Sequence, residues 1–197
     1  MIKRNIVLIL ILFFIFLVSA QAKKENELRV GAYLGMYMPT NSFGHNFNPS
    51  LTYGLNCSYE WDKKERIDLT LGMIDWSPGD NEDVQNLNFS MSYIHLGFSW
   101  FFDRSQTGLY LTPRFGLLFR NYSYKDEFVD SKSDNMIYSV GGKVGYLYEI
   151  NDKLLLNGMV NLDLALRNSE QNAAFTDDGE IMIYYGFAIG IIYNIDL

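Results

Sequence analysis

Residues 51–61 read Leu-Thr-Tyr-Gly-Leu-Asn-Cys-Ser-Tyr-Glu-Trp, and they alternate without a break. Leu51, Tyr53, Leu55, Cys57, Tyr59 and Trp61 share one face, while Thr52, Gly54, Asn56, Ser58 and Glu60 share the other. A period of two belongs to a strand, because successive side chains leave a pleated backbone on opposite sides. One face is apolar along its whole length and the other is small or polar.

The same alternation recurs on both sides of this stretch. Segments near Leu28–Tyr37, Arg66–Trp76, Ser90–Phe102, Thr107–Arg120, Met136–Glu149, Lys153–Arg167 and Met182 to the end bring the count to eight. Strands of roughly 10 residues suffice to cross a bilayer at a tilt. In lipid, open sheet edges cannot find hydrogen-bond partners, so such strands must close on themselves. The linkers supply an independent sign. Short ones at Asp62–Glu65, Asp103–Gln106 and Asn151–Asp152 alternate with long ones near Pro39–Pro49, Ser77–Phe89, Asn121–Asn135 and Asn168–Glu180. Short turns at one end and long loops at the other define an up-and-down barrel. The expected fold is therefore all-β, an eight-stranded antiparallel up-and-down transmembrane β-barrel. A soluble lipocalin-like barrel is the alternative, but it has no use for an apolar stripe on its outside. Pro113 fits a closed ladder badly and predicts a bulge or a local interruption.

The first residues stand apart from this pattern. Lys3 and Arg4 precede an unbroken apolar run from Ile6 to Val18, followed by Ala20-Gln21-Ala22. A positive start, a short apolar stretch and a small-x-small site describe a secretory signal peptide, expected at 1–22 with cleavage after Ala22 and the barrel at 23–197. Thirteen apolar residues fall short of the ~20 that a spanning helix needs. No Cys follows the cleavage site, which argues against a lipoprotein. Cys57 is the only cysteine in the chain, so neither an internal disulfide nor a cysteine-based zinc site is available to it.

Composition agrees with an exported barrel. Hydrophobic residues make up 48%, charged residues 20% and aromatics 16%, a balance that aromatic belts at a membrane edge would explain. Without Lys3 and Arg4, 14 basic side chains face 23 acidic ones, a net charge of −9. Such a chain is a poor nucleic-acid binder.

The polar faces and the loops are where chemistry could reside. Asp68, His95, Arg114, Lys143, Asp163 and Arg167 fall on the predicted inner face, among Asn56, Asn157 and Asn161. An eight-stranded barrel is only wide enough for its own side chains, so this cluster reads as a paired polar plug, with a proton or ion path as the alternative. Inner glycines are expected to make room for large partners such as Tyr33 and Tyr93. Only His45 and His95 are present, in no Ser-His-acid or metal-spacing motif, so no catalytic, cofactor or metal site is expected. A lipid-modifying enzyme centred on His95 is the weakest reading. Loops two to four carry Asp80, Glu82, Asp83, Asp126, Glu127, Asp130, Asp134, Glu170, Asp177, Asp178 and Glu180, offset by Lys125 and Lys132. Concentrated negative potential suits divalent cations or a basic surface partner; solvated loops are the plainer reading.

Near the short turns, Tyr59, Trp61, Trp100, Phe102, Tyr146, Tyr148 and Tyr193 form an expected interfacial girdle. The last strand, Gly190-Ile191-Ile192-Tyr193-Asn194-Ile195-Asp196-Leu197, resembles the C-terminal insertion signal of outer-membrane barrels, with Leu where Phe is usual. From about Leu28 to Leu197 the chain resembles the small outer-membrane β-barrel superfamily of OmpA, OmpX and OmpW types, by architecture and not by a motif. The resemblance implies a Gram-negative outer membrane, contact with its lipids, and delivery by periplasmic chaperones to the barrel-insertion machinery. It implies a structural or interaction role through the external loops, with a small porin-like channel for ions or apolar solutes as the alternative. No peptidoglycan-binding domain is expected after the barrel.

Overall fold

Each alternating segment bonds to the next along the chain. The computed structural model describes residues 27–40, 46–79, 87–125, 130–166 and 181–196, with backbone alone at 87, 122, 124, 125, 130–135 and 196. The strands are β1 (Glu27–Pro39), β2 (Phe47–Asn48), β3 (Ser50–Asp62), β4 (Glu65–Pro78), β5 (Leu87–Phe101), β6 (Gly108–Lys125), β7 (Asp130–Asn151), β8 (Leu154–Leu166) and β9 (Met182–Asp196). The eight long strands pair antiparallel in chain order, and β1 bonds to β9 from Glu27↔Asp196 to Pro39↔Tyr184. That last pairing closes the ring and leaves no long strand with a free barrel edge.

The faces follow the sequence pattern. Along β8 the apolar Leu156, Val160, Leu162 and Leu166 are exposed on the outside, while Asn157, Asn161 and Asp163 are buried within. The girdle at the short-turn end is outside and exposed at Trp61, Trp100, Phe102, Tyr146, Tyr148 and Tyr193. Tyr59 is the exception, with a side chain only 7% exposed.

Pro113 interrupts one ladder and spares the register. On β5 the described pairing stops at Gly97↔Arg114 and resumes at Trp100↔Leu111 with no offset, and on the other side Pro113 stays opposite Gly142. A residue without an N–H removes a bond without requiring an extra residue, so the expected interruption forms and no bulge does.

Two of the expected loops need correction. The segment read as a loop at Asn121–Asn135 is mostly hairpin, with β6 and β7 paired from Gly108↔Leu147 out to Lys125↔Asp130. Asp130 and Asp134 thus belong to strand β7 and not to a loop. The extension is three strands wide for most of its length, since β5 stays paired with β6 out to Leu87↔Tyr124, and Tyr122 and Tyr124 are good strand formers. In the first long linker, β2 turns back to pair Phe47↔Pro78 and Asn48↔Ser77 against the end of β4. Phe47 is buried as a result, only 2% exposed.

Glycines on the inner face are where the wall admits large side chains. The Tyr33 hydroxyl reaches across the lumen to Leu71 O (3.2 Å) and to the Tyr93 hydroxyl (2.6 Å). A Cβ on Gly54 or Gly72 would collide with that hydroxyl. Overpacking of this kind costs about 1–3 kcal/mol. Gly72→Val is expected to lower the urea midpoint of the refolded protein accordingly, and Tyr33→Ala alone should not restore it, because a Cβ on Gly72 meets the Tyr93 ring as well. An unchanged midpoint in the single variant would show that the tyrosines yield freely.

Candidate functional site

The lumen is built in layers. At its centre, Arg114 on β6 and Asp163 on β8 both stand opposite Gly141 on the strand between them. Because Gly141 has no side chain, the two meet across it; a Cβ there would strike the Asp163 carboxylate. The contact is bidentate, Nε to Oδ1 at 2.9 Å and Nη2 to Oδ2 at 2.5 Å, with side chains 3% and 0% exposed. The Tyr37 hydroxyl accepts from Arg114 Nη2 at 3.0 Å and donates to Asp163 Oδ2 at 3.1 Å. Planar two-point pairing is the strongest geometry an ion pair can take.

A second pair crosses the barrel. Lys143 Nζ on β7 lies 3.5 Å from Asp68 Oδ1 on β4 and 5.7 Å from the centre of the Tyr110 ring. Asp68 also accepts from Asn56 Nδ2 at 3.2 Å and from the Ser99 hydroxyl. Two cations and two carboxylates balance here, as an enclosed set of charges must.

His95 sits beside them. Its Nε2 is 2.8 Å from Ser139 Oγ and its ring stacks on Tyr93 at 5.0 Å between centres. Serine and histidine are at the distance of a nucleophile and its base, yet each is 1% exposed and Nδ1 has no hydrogen-bond partner among the described residues. Among the described residues, then, no acid orients this imidazole as the third member of a triad would.

Described side chains fill both ends of the lumen. At the loop end, Phe47, Trp76, Phe89 and Tyr184 pack together, with Phe47 and Phe89 centres 5.2 Å apart and Trp76 and Tyr184 centres 6.0 Å apart. At the short-turn end Gln106, with φ 52°, folds its backbone into the opening. Its carbonyl accepts from Arg29 Nη1 at 2.8 Å, and its side-chain oxygen accepts from Arg66 Nη1 at 2.5 Å. Glu27, itself 40% exposed, lies 3.6 Å from Arg29 and 3.8 Å from Arg66. Between the two closures, the described lumen holds a cavity of about 10 Å³ beside Arg114, Lys143 and Asn161. That is room for about one water.

No described protein family matches the sequence, and no characterised protein matches it either. Solved structures do match in shape. Neisserial surface protein A aligns with a TM-score of 0.58 at 13% identity, over 84% of this chain and 96% of that one. Ail, the attachment invasion locus protein of Yersinia pestis, aligns at 0.56 and 10% identity over 88% and 99%. The N-terminal β-barrel domain of OprF from Pseudomonas aeruginosa aligns at 0.51 and 12% identity over 88% and 100%. The chain has the fold of the small outer-membrane β-barrels.

Within this outer-membrane barrel fold, five of the six inner residues singled out in the sequence, Asp68, His95, Arg114, Lys143 and Asp163, are buried in the lumen. Arg167 lies outside the described residues, as do Asp80, Glu82, Asp83, Asp126, Glu127, Asp177, Asp178 and Glu180. Asp130 and Asp134 are described in backbone only. The barrel's end closures escaped the sequence reading. Arg29 and Arg66 alternate correctly with their neighbours and could have been found; nothing near Gln106 announces a left-handed backbone, and Phe47 stands in a stretch with no period.

Proposed function

We propose that the chain is a non-enzymatic protein of the Gram-negative outer membrane whose barrel is a solid support for its external segments. The observation that carries this is the filled lumen: two ion pairs at mid-height lie between an aromatic cluster above and Gln106 below, and the cavity beside Arg114, Lys143 and Asn161 is only about 10 Å³. Selection for a conduit would spend these positions on small or solvated side chains. What remains to interact with the surroundings is the outer wall and the acidic segments at the loop end. These segments suit divalent cations or a basic partner, and the last strand suits the insertion machinery.

The test is conductance together with gel mobility. Protein refolded in detergent should migrate faster unboiled than boiled and should give no stepwise current in planar bilayers. Discrete steps that change on Lys143→Ala would replace the support with a channel. Removing residues 126–129 and 168–179 should leave the mobility shift intact while abolishing surface binding of Ca²⁺ or of cationic beads; a lost shift would mean that these segments serve folding instead.

A further inference from the structure

The membrane-facing wall is not uniform. In register across β3 to β7, the outward residues Tyr53, Met73, Ser92, Phe119 and Met136 form one row. Four of them are large, and Ser92 in the middle is small. A groove of about 620 Å³ opens there. Leu55, Leu71 and Ile94 line it on the short-turn side. Its floor is the backbone of inward-facing positions, including Gly54 and Gly72.

The row immediately towards the loops changes character. Asp75, Ser90 and Asn121 stand opposite one another on β4, β5 and β6 and face outward. Asp75 and Asn121 are exposed, and Asn121 also borders the groove. An exposed carboxylate and amide belong at the depth where hydrocarbon gives way to headgroups. The groove therefore begins at the external headgroup level and runs down into the apolar wall.

On the reading that the barrel spans the outer membrane with its long loops outside, we propose that this groove binds one acyl chain of an outer-leaflet glycolipid. The chain lies in the depression over Ser92, and the sugar hydroxyls meet Asp75, Ser90 and Asn121. The wall is already the lipid interface, so its occupant is lipid. A row of carboxylate, hydroxyl and amide groups offers hydrogen-bond acceptors and donors to hydroxyls, and the one cation in the groove's described lining, Arg120, is only 9% exposed.

The experiment is native mass spectrometry of the full-length protein in detergent, titrated with lipid A or with palmitoyl-oleoyl-phosphatidylethanolamine. Wild type should retain lipid A in preference to the phospholipid. Ser92→Trp should weaken retention at least about tenfold, since the indole fills the depression and removes the close packing that, against a detergent or lipid background, is what the groove offers an acyl chain. Ser92→Leu provides a milder filling. Gly158→Leu adds bulk to the outer wall elsewhere, where a Cβ meets nothing within 4 Å, and should retain lipid A as wild type does. Equal retention by Ser92→Trp and wild type, or by both lipids, would overturn the proposal. The gel-mobility shift separates the two premises: no shift in wild type sinks the membrane barrel itself, while a shift without lipid retention sinks only the groove.

Discussion

Asp163→Ala is expected to destabilise the refolded barrel by about 3–5 kcal/mol, the range for breaking a buried ion pair by removing one partner. The cost arises mostly from what is left behind. Arg114 is 3% exposed in its side chain and donates two hydrogen bonds to the Asp163 carboxylate. Without it, a guanidinium remains enclosed by Tyr37 and neighbouring backbone, with Lys143 as a second positive charge lining the same small cavity. Asp163→Asn should cost less, because it keeps an acceptor oxygen. Replacing both partners by apolar residues of similar volume, Arg114→Met with Asp163→Leu, should recover most of the loss, since the desolvation of both charges disappears with the pair. The measurement is the urea midpoint in lipid vesicles, read as the fraction migrating in the folded gel band. If the double variant were as weak as Asp163→Ala, the pair would be stabilising in its own right and not merely balanced.

Phe47→Ala carries the next largest effect, up to about 3–5 kcal/mol as for other buried aromatic truncations. Phe47 arrives from a two-residue strand that pairs with the end of β4 at Phe47↔Pro78 and Asn48↔Ser77, and Gly79 N donates to Asn46 O beside it at 2.8 Å. Its ring sits between Trp76 and Phe89, at 6.5 and 5.2 Å between centres. Phe47→Leu, which keeps the apolar bulk, should recover more than half of the loss. A second readout distinguishes cap from ballast: Phe47→Ala should speed quenching of Trp76 fluorescence by acrylamide, measured in a Trp61→Phe, Trp100→Phe background. Unchanged quenching would show that the mouth stays shut without the first loop's contribution.

How much of this was legible in the sequence depended on whether the deciding contact was local. Residues 51–61 reveal a strand and its lipid face because the pleat is a property of neighbours in the chain. The same rule placed Arg114 and Asp163 inside. It could not pair them, because their meeting depends on the register of three strands and on Gly141 standing between them. Pro113 announced its own interruption, since a missing N–H is a covalent fact. The stretch 121–135 was misread because its charges resemble those of a loop, whereas a ribbon outside the membrane is free to be polar on both faces. Phe47 and Gln106 close the two mouths from turns with no period. The groove over Ser92 is the reverse case: Tyr53, Leu55, Leu71, Met73, Ile94 and Phe119 were read correctly as sharing the apolar faces, yet a depression exists only once five strands lie side by side.

The unequal length of the strands gives the external rim a direction. Beyond Tyr138↔Leu166, the last described rung between β7 and β8, strand β7 continues from Ile137 back to Asp130 in partnership with β6. At roughly 3.4 Å per residue, those eight residues make a parapet about 27 Å long on one side of the cylinder. Among the described residues the hydrogen-bonded wall is therefore taller on the β5–β6–β7 side than where β7 meets β8, and a force applied to that crest would be carried down into the barrel by three strands together.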